Sequence, residues 1–412
     1  MKANALIQTW RKWFVPPPSA APKARAQLRV GIPRVLNIWS THQFWVSFLT
    51  SLGIAPQHIM FSSETTEDQG REYGRGRGTV DCCYPVKCIS GHYGELIWGQ
   101  KRKIDILLSP MIRSLPSFLN GHVENSLSCP RVMAAPENIK AGFLKEKDVF
   151  AVEGINYIAP LVCLAEPPLV SKQLYATLKD VIPDLRKAEV RRAVAAGYAA
   201  LEAFNSSVRS KGREILEWCA RNDRPCILIL ARPYHMDPGI GHEIEADLQA
   251  YGYPILWGQY LPTDPDLMDW LFGDDVRTGL IGSPFDIRDV WPSSYSGNTN
   301  EILWAAKVGA RLPWVTCVVR FVSYECGMDQ PTFTPVQRIV EETGTMFFSL
   351  QDLDSTKPAG SVKIRTETIA YYLKQSSASI MERKKQRLTG PGPLSSMPMR
   401  AAPASAASGR AP

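Results

Sequence analysis

Short apolar runs separated by amphipathic stretches recur over residues 29–165, and the same cadence restarts after residue 222. Arg29–Ile32, His58–Ser62, Ile104–Met111 and Ile155–Leu161 have the length and apolar character of strands buried on both faces. Helical patterns at Thr41–Leu52, Tyr84–Gln100 and Glu137–Leu144 separate them. Cys226–Ala231 is the clearest buried strand; helix Glu243–Tyr251, strand Pro254–Trp257, helix Asn298–Arg311, strand Trp314–Phe321 and helix Pro335–Glu342 follow it. A helix between consecutive strands brings the chain back to pair in parallel, so the alternation predicts an α/β fold of two doubly wound parallel-sheet lobes. Between them runs a charged helical stretch, Gln173–Asn222, broken only around Pro183. The expected division is an N-terminal extension with a Pro-rich linker (1–28), a first α/β lobe (29–165), a helical connector (166–222), a second lobe (223–374) and a disordered basic tail (375–412). Ligands of such sheets collect beyond the carboxyl ends of the strands.

The net charge of +7 suggests nucleic acid until its distribution is read. Residues 1–30 carry +6 and residues 381–412 carry +5, which leaves −4 for residues 31–380. The folded body is mildly acidic, and no nucleic-acid face is expected on it. The first segment, with Leu6, Ile7, Trp10, Trp13 and Phe14 beside Arg11 and Lys12, reads as a docking helix, a surface anchor, a leader or a frayed end; Pro16-Pro17-Pro18 begins a linker. Nine cysteines in 412 residues, with no apolar signal core near Met1, point to a reducing cytoplasm. The most apolar stretch, Leu312–Val322, is short and contains Arg320, so no membrane span is expected.

Cysteines carry the strongest chemical signal. Cys83 opens a helix with Pro85 at an early position, where the helix amino end should lower a thiol pKa; Cys129 lies in a loop before Arg131–Ala135; Cys326 follows the strand ending at Phe321. Cys163, Cys219, Cys226 and Cys317 fall inside apolar patterns and read as core residues, while Cys82 and Cys88 neighbour Cys83 as extra ligands or redox partners. Three distant thiols fit a metal or cluster held by separate loops, or three structural cysteines; zinc would need a fourth ligand such as His92 or His122. A second polar cluster, Arg232-Pro233-Tyr234-His235-Met236-Asp237-Pro238 with His242 and Glu243, follows the strongest strand. It reads equally as a functional loop or as a capping and salt-bridge network. Gly74-Arg75-Gly76-Arg77-Gly78 follows no strand and reads as a flexible basic loop, and no phosphate loop or dinucleotide fingerprint is present in the sequence.

Taken together these blocks resemble a known family. Val30-Gly31-Ile32-Pro33-Arg34-Val35-Leu36-Asn37 with Phe44-Trp45, then Cys83-Tyr84-Pro85-Val86-Lys87 with Gly91-His92, look like the domain opening of 2-hydroxyacyl-CoA dehydratase activase-related proteins. Ser128-Cys129-Pro130, the Arg232–Pro238 run and Cys326-Gly327-Met328-Asp329 resemble later blocks in the same order, over about residues 28–374. The resemblance implies two lobes similar to dehydratase subunits and an oxygen-sensitive 4Fe-4S cluster, single or double-cubane, on Cys83, Cys129 and Cys326. It also implies Arg232, Tyr234 and His235 near the cluster as substrate- or charge-stabilising groups, and Lys87 or His92 tuning its potential. Members often carry an actin-like ATPase on the same polypeptide; these 412 residues do not include it, so a separate ATPase partner is implied. The substrate would be small, an acyl-CoA among the candidates, and a homo- or heterodimer is compatible. The competing expectation is a non-catalytic scaffold; a zinc hydrolase is a third.

Overall fold

The computed structural model describes residues 24–78, 82–354, 359–388 and 392–394. The amphipathic segment Leu6–Phe14, the Pro16–Pro18 run and the residues beyond Leu394 lie outside them.

Ten strands are present among the described residues: β1 Val30–Ile32, β2 Ile59–Phe61, β3 Ile106–Leu108, β4 Met111–Ser114, β5 Asn156–Ile158, β6 Leu161–Cys163, β7 Cys226–Leu230, β8 Ile255–Trp257, β9 Val315–Ser323 and β10 Met346–Leu353. They form two four-stranded sheets, β2-β1-β3-β5 and β10-β9-β7-β8, and a two-stranded sheet β4-β6. Every ladder between these strands is parallel. This is the expected α/β architecture of parallel-sheet lobes. In each large sheet the first strand is internal: the chain leaves β1 for β2 and returns to β3 on its other side, and leaves β7 for β8 and returns to β9. Both lobes thus have a topological switch point, at the carboxyl ends of β1 and β7.

The strand β7, Cys-Ile-Leu-Ile-Leu, is buried along its whole length. Leu228 and Leu230 pack with Val318 and Trp304 on one face, and Ile227 and Ile229 with Val319, Phe321, Leu248 and Leu373 on the other. Each fully buried Leu or Ile contributes roughly 1.5–3 kcal/mol, which holds a central strand that has no polar face. The first lobe repeats this, with Val30, Ile32, Ile106 and Leu108 against Phe44, Trp45 and Phe48 of helix Ile38–Ser51.

Prolines divide two of the expected strands. Pro110 separates β3 from β4 and Pro160 separates β5 from β6, because a residue without an N–H cannot continue the ladder. The expected helix at Glu137–Leu144 in fact begins at Pro130 and runs to Leu144 through Pro136, so Arg131–Ala135 are helical. Helix Pro265–Arg277 and β10 were not expected. Between the sheets lie helices Pro167–Leu178 and Lys187–Arg221. Residues 376–387, expected in the tail, belong instead to helix Ala359–Arg387, and they bury Ser377, Ile380, Met381 and Lys384. Arg77 lies over Trp98 and Phe143, 4.6 and 5.3 Å from their ring centroids, which docks part of the basic loop expected to be flexible. No helix among the described residues is long and apolar enough to cross a membrane.

Candidate functional site

The switch-point loops bring distant residues together. After β1 the chain turns through Pro33–Asn37, and Asn37 Nδ2 donates to Ser128 Oγ at 3.1 Å, beside Cys129. Cys129 is the N-cap of helix Pro130–Leu144, with proline at the first helical position. Cys83 caps the short helix Tyr84–Lys87, with Pro85 next but one. In both places proline supplies the helical φ and the cap side chain is a thiol. Cys326 follows β9 after Glu325, whose φ is 63°, and its carbonyl accepts from the Asp329 amide at 3.3 Å.

Cys83, Cys129, Cys82 and Tyr234 share one buried cluster, against which Cys88 and Met328 pack. The Cys83 thiol has Cys82, Cys129 and Arg131 as its charged or titrating neighbours, and the Tyr234 phenol faces both Cys326 and Cys83. Arg131 Nη1 donates to the Glu325 carbonyl at 3.2 Å, tying the Cys129 helix to the Cys326 loop. Cys83 thus neighbours Cys129, and Cys83 and Cys326 each neighbour Tyr234. Among the described residues, however, no group of three or more His, Cys, Asp or Glu stands in metal-binding geometry.

Burial pushes the Cys83 thiol up to about 11, although the Val86 amide at the helix start pulls it down. The helix amino end does act in the expected direction, but desolvation outweighs it. Cys326 is pushed up to about 12 by burial and by the Asp329 carboxylate.

Behind Cys326 lies a buried charge group. Arg232 makes a two-pronged pair with Asp329, Nε to Oδ2 at 3.0 Å and Nη2 to Oδ1 at 2.9 Å, with both side chains 1 % exposed. Arg320, fully buried in the middle of β9, reaches the same carboxylate at 3.7 Å and donates from Nη2 to Thr332 Oγ1 at 3.2 Å. Its Nε and Nη1 make no hydrogen bond. Burial raises the Asp329 carboxyl, and Arg232 and Arg320 more than reverse this, holding it well below the ordinary carboxylate range. Two arginines against one carboxylate leave this group with a net charge of +1 in a desolvated place.

The other expected residues have more structural settings. His235 donates from Nδ1 to the Arg232 carbonyl, 3.2 Å away, and accepts from Ser323 Oγ at 2.9 Å; burial lowers its pKa to about 4, so the ring is neutral. His92 is buried between Ser62 Oγ at 2.7 Å and Thr65 Oγ1 at 2.9 Å. Thr65 in turn donates to Asp237 at 2.7 Å. Lys87 is exposed. His122 packs its ring 5.4 Å from that of Phe285. Cys163, Cys219, Cys226 and Cys317 are all buried, in agreement with their apolar sequence settings. Arg320 was passed over as a site residue, although a charged side chain inside the most apolar run of the chain requires a buried partner.

Thiols are the donors an iron–sulfur cluster uses, and the buried excess of positive charge at Arg232 and Arg320 would favour an anionic group, while the Asp329 carboxylate and Tyr234 hydroxyl stand beside Cys326 as oxygen donors. No curated protein sequence matches the chain. The family described as the CoA enzyme activase uncharacterised domain matches residues 29–261, which include both switch-point loops, Cys83, Cys129 and Arg232. With more than half of its residues matched, the chain belongs to this CoA enzyme activase-related family.

Proposed function

We propose that the chain is the iron–sulfur component of a redox system related to 2-hydroxyacyl-CoA dehydratases and their activases, with a 4Fe-4S cluster on Cys83, Cys129 and Cys326. The reading is supported by Cys83 and Cys129 lying in one buried cluster with Tyr234, which also neighbours Cys326, beside a buried group of net charge +1. With the Cys83 and Cys326 thiols raised by burial that charge stays uncompensated; thiolates on a cluster would offset it. The bound cluster would supply one-electron chemistry, with one iron free of protein ligands.

The chain's own residues divide the remaining work. Tyr234, kept protonated by burial, offers a hydrogen-bond donor beside Cys83 and Cys326. Arg232, held by Asp329, stabilises negative charge on sulfur or substrate. His235 positions Arg232 through its carbonyl. His92 acts through Ser62, Thr65 and Asp237, and exposed Lys87 adds positive charge near the Cys83 helix. A separate ATPase would deliver the low-potential electrons, in a reducing cytoplasm, for reduction or dehydration of a small substrate, an acyl-CoA among the candidates.

Anaerobic purification with cluster reconstitution tests this. The wild type should be brown and hold about four iron and four sulfide per chain, or about eight iron for a double cubane, and C83S/C129S/C326S should hold almost none. Colourless, iron-free wild type after reconstitution, or equal iron in the triple variant, would reject the assignment.

A further inference from the structure

The amino ends of the strands in the first sheet carry exposed apolar and basic side chains together. Arg29, just before β1, pairs with Asp105, just before β3, at 3.4 Å, and the Asn156 amide at the start of β5 donates to the Asp105 carbonyl at 2.9 Å. The segments that lead into this row meet around Trp98. Its ring stacks on Phe143 with centroids 5.9 Å apart, its Nε1 donates to Glu153 Oε1 at 3.4 Å, and Lys103 Nζ donates to Glu153 Oε2 at 2.7 Å. Trp98, Leu144 and Val152 are 38, 39 and 62 % exposed, which places three large apolar side chains in water where helices Pro130–Leu144 and Val149–Glu153 end. A gathered apolar group of this kind, rimmed by polar residues, marks an interaction surface.

The rim is basic. Lys101, Arg102, Lys103, Lys145 and Lys147 are exposed, and the Arg77 guanidinium lies over the Trp98 ring. Glu146, Asp148 and Glu153 offset half of these six charges, so the face carries +3 within residues 31–380, whose total is −4. Lys147 as well as Lys103 acts on Glu153, so that carboxylate is already matched. The described chain also starts at this end: Ala24 stands five residues before Arg29. The 23 residues that precede it carry Lys2, Arg11, Lys12 and Lys23, no acid, and the aromatic Trp10, Trp13 and Phe14. Ten residues lead from Phe14 to Ala24 and can span up to about 33 Å.

We infer that this face, together with residues 1–23, docks the protein on an anionic lipid bilayer. Tryptophan settles at the interfacial level of a bilayer, lysine and arginine reach from there to acidic headgroups, and clustered cations add their attractions to one negatively charged plane. An indole with two aliphatic neighbours rewards burial at the acyl boundary, which a phosphate backbone in water does not offer. The orientation follows from helix Pro130–Leu144, which runs from its cap at Cys129 to Leu144 over 15 residues, or about 22 Å. Docking at the Leu144 end holds Cys129 roughly that far from the headgroups and leaves the thiol loops open to a partner from solution.

Co-sedimentation of the full chain with vesicles tests this. Wild type should bind phosphatidylcholine vesicles containing about 30 mol % phosphatidylglycerol, bind pure phosphatidylcholine at least about tenfold more weakly, and lose most of its binding between about 0.1 and 1 M salt. K101E/R102E/K103E should weaken binding to the anionic vesicles by at least about tenfold, and Val152→Glu by about three- to tenfold. K172E/K211E/K374E makes the same change in total charge at exposed lysines on other elements and should shift binding by less than about twofold. W10A/W13A should also weaken it, and joined to K101E/R102E/K103E should abolish it. The triple cysteine variant should bind like wild type, which separates this surface from the cluster reading. No binding to anionic vesicles, equal losses in the two charge-reversal variants, or wild-type binding by K101E/R102E/K103E would overturn the assignment. So would binding of single-stranded RNA or polyglutamate by a chain that ignores vesicles.

Discussion

The proton on His92 is fixed by its neighbours. The Arg34 amide donates to Ser62 Oγ at 2.8 Å, so the Ser62 hydroxyl is free to donate to His92 Nδ1. Thr65 spends its proton on Asp237, so it accepts from His92 Nε2. A second ring proton would face a donor, and burial already lowers the pKa to about 3 from an ordinary 6.5. A base with a lowered folded pKa leaves stability intact above its unfolded value and removes it as pH falls toward the folded one. The stability of wild type relative to His92→Gln should therefore fall by about 1.4 kcal/mol per unit between pH 6 and pH 4, followed by urea unfolding. A difference independent of pH would sink the assignment of a neutral, locked ring. At this scale the sequence singles out Cys83, Cys129, Cys326 and Arg232 as candidates, because their residue types are unusual beside apolar strands. It hides the setting of His92: nothing in a lone histidine four residues past a cysteine says that two hydroxyls thirty positions upstream will occupy both nitrogens.

Besides the apolar contacts of Leu373 and Met381, helix Ala359–Arg387 is tied to the second sheet through Lys384. Lys384 is 1 % exposed, and its three ammonium protons go to the carbonyls of Gly309 and Val315, at 2.8 and 2.7 Å, and to Thr345 Oγ1, at 2.9 Å. An ammonium has three donors, and all three are used. Lys384→Met keeps the length of the stem and strands those acceptors, so unfolding free energy should drop by about 1–3 kcal/mol while Lys385→Met, at a part-exposed surface pair with Asp223, changes it by less than about 0.5 kcal/mol. Equal effects in the two variants would mean that the anchor is not used. The composition around Lys384 is basic and serine-rich, which is why this segment reads as tail; only the docked helix shows that one lysine points inward. β10 escaped for a related reason, being an edge strand whose residues 346–349 are only half-buried and whose mixed run Phe-Phe-Ser-Leu-Gln-Asp blurs the apolar signal. Pro136 likewise reads as a helix break, yet the helix from Pro130 passes through it with the loss of one backbone bond.

The two lobes are joined by the loops beyond their strands and by the long helix between them. Leu127 pairs with Tyr295 and Gly297 through backbone bonds of 2.7 and 2.9 Å, Ser117 with Glu301, Tyr84 with the Gly239 carbonyl at 3.2 Å, and Thr65 with Asp237. Along the helix Lys187–Arg221, Gly197 lets Phe44 of the first lobe approach so closely that a methyl group would stand 2.7 Å from its ring, and Gly212 does the same for the Tyr260 carbonyl of the second. With so many buried contacts crossing between them, the lobes should unfold together: amides of β1 and β3 and those of β7 and β9 should lose hydrogen-exchange protection at the same denaturant concentration. Loss in one sheet at clearly lower denaturant would show two independent bodies. The parallel lobes themselves are legible in the alternation of apolar runs, because strand period and helix period are local properties of the chain. The contacts that seat one lobe against the other are not, since each depends on two loops that no local pattern relates.

The proline-capped turns at Cys83 and Cys129 have a consequence for the order of events in the life of the protein. Proline has few conformations to surrender, so the backbone that presents each thiol is largely arranged by ordinary chain collapse. The apolar cluster around them, with Tyr93, Leu96, Ile139 and Phe143, is packed by side chains that have no use for iron. A newly made chain in an iron-starved cell would on this account fold, stand ready, and be charged afterwards.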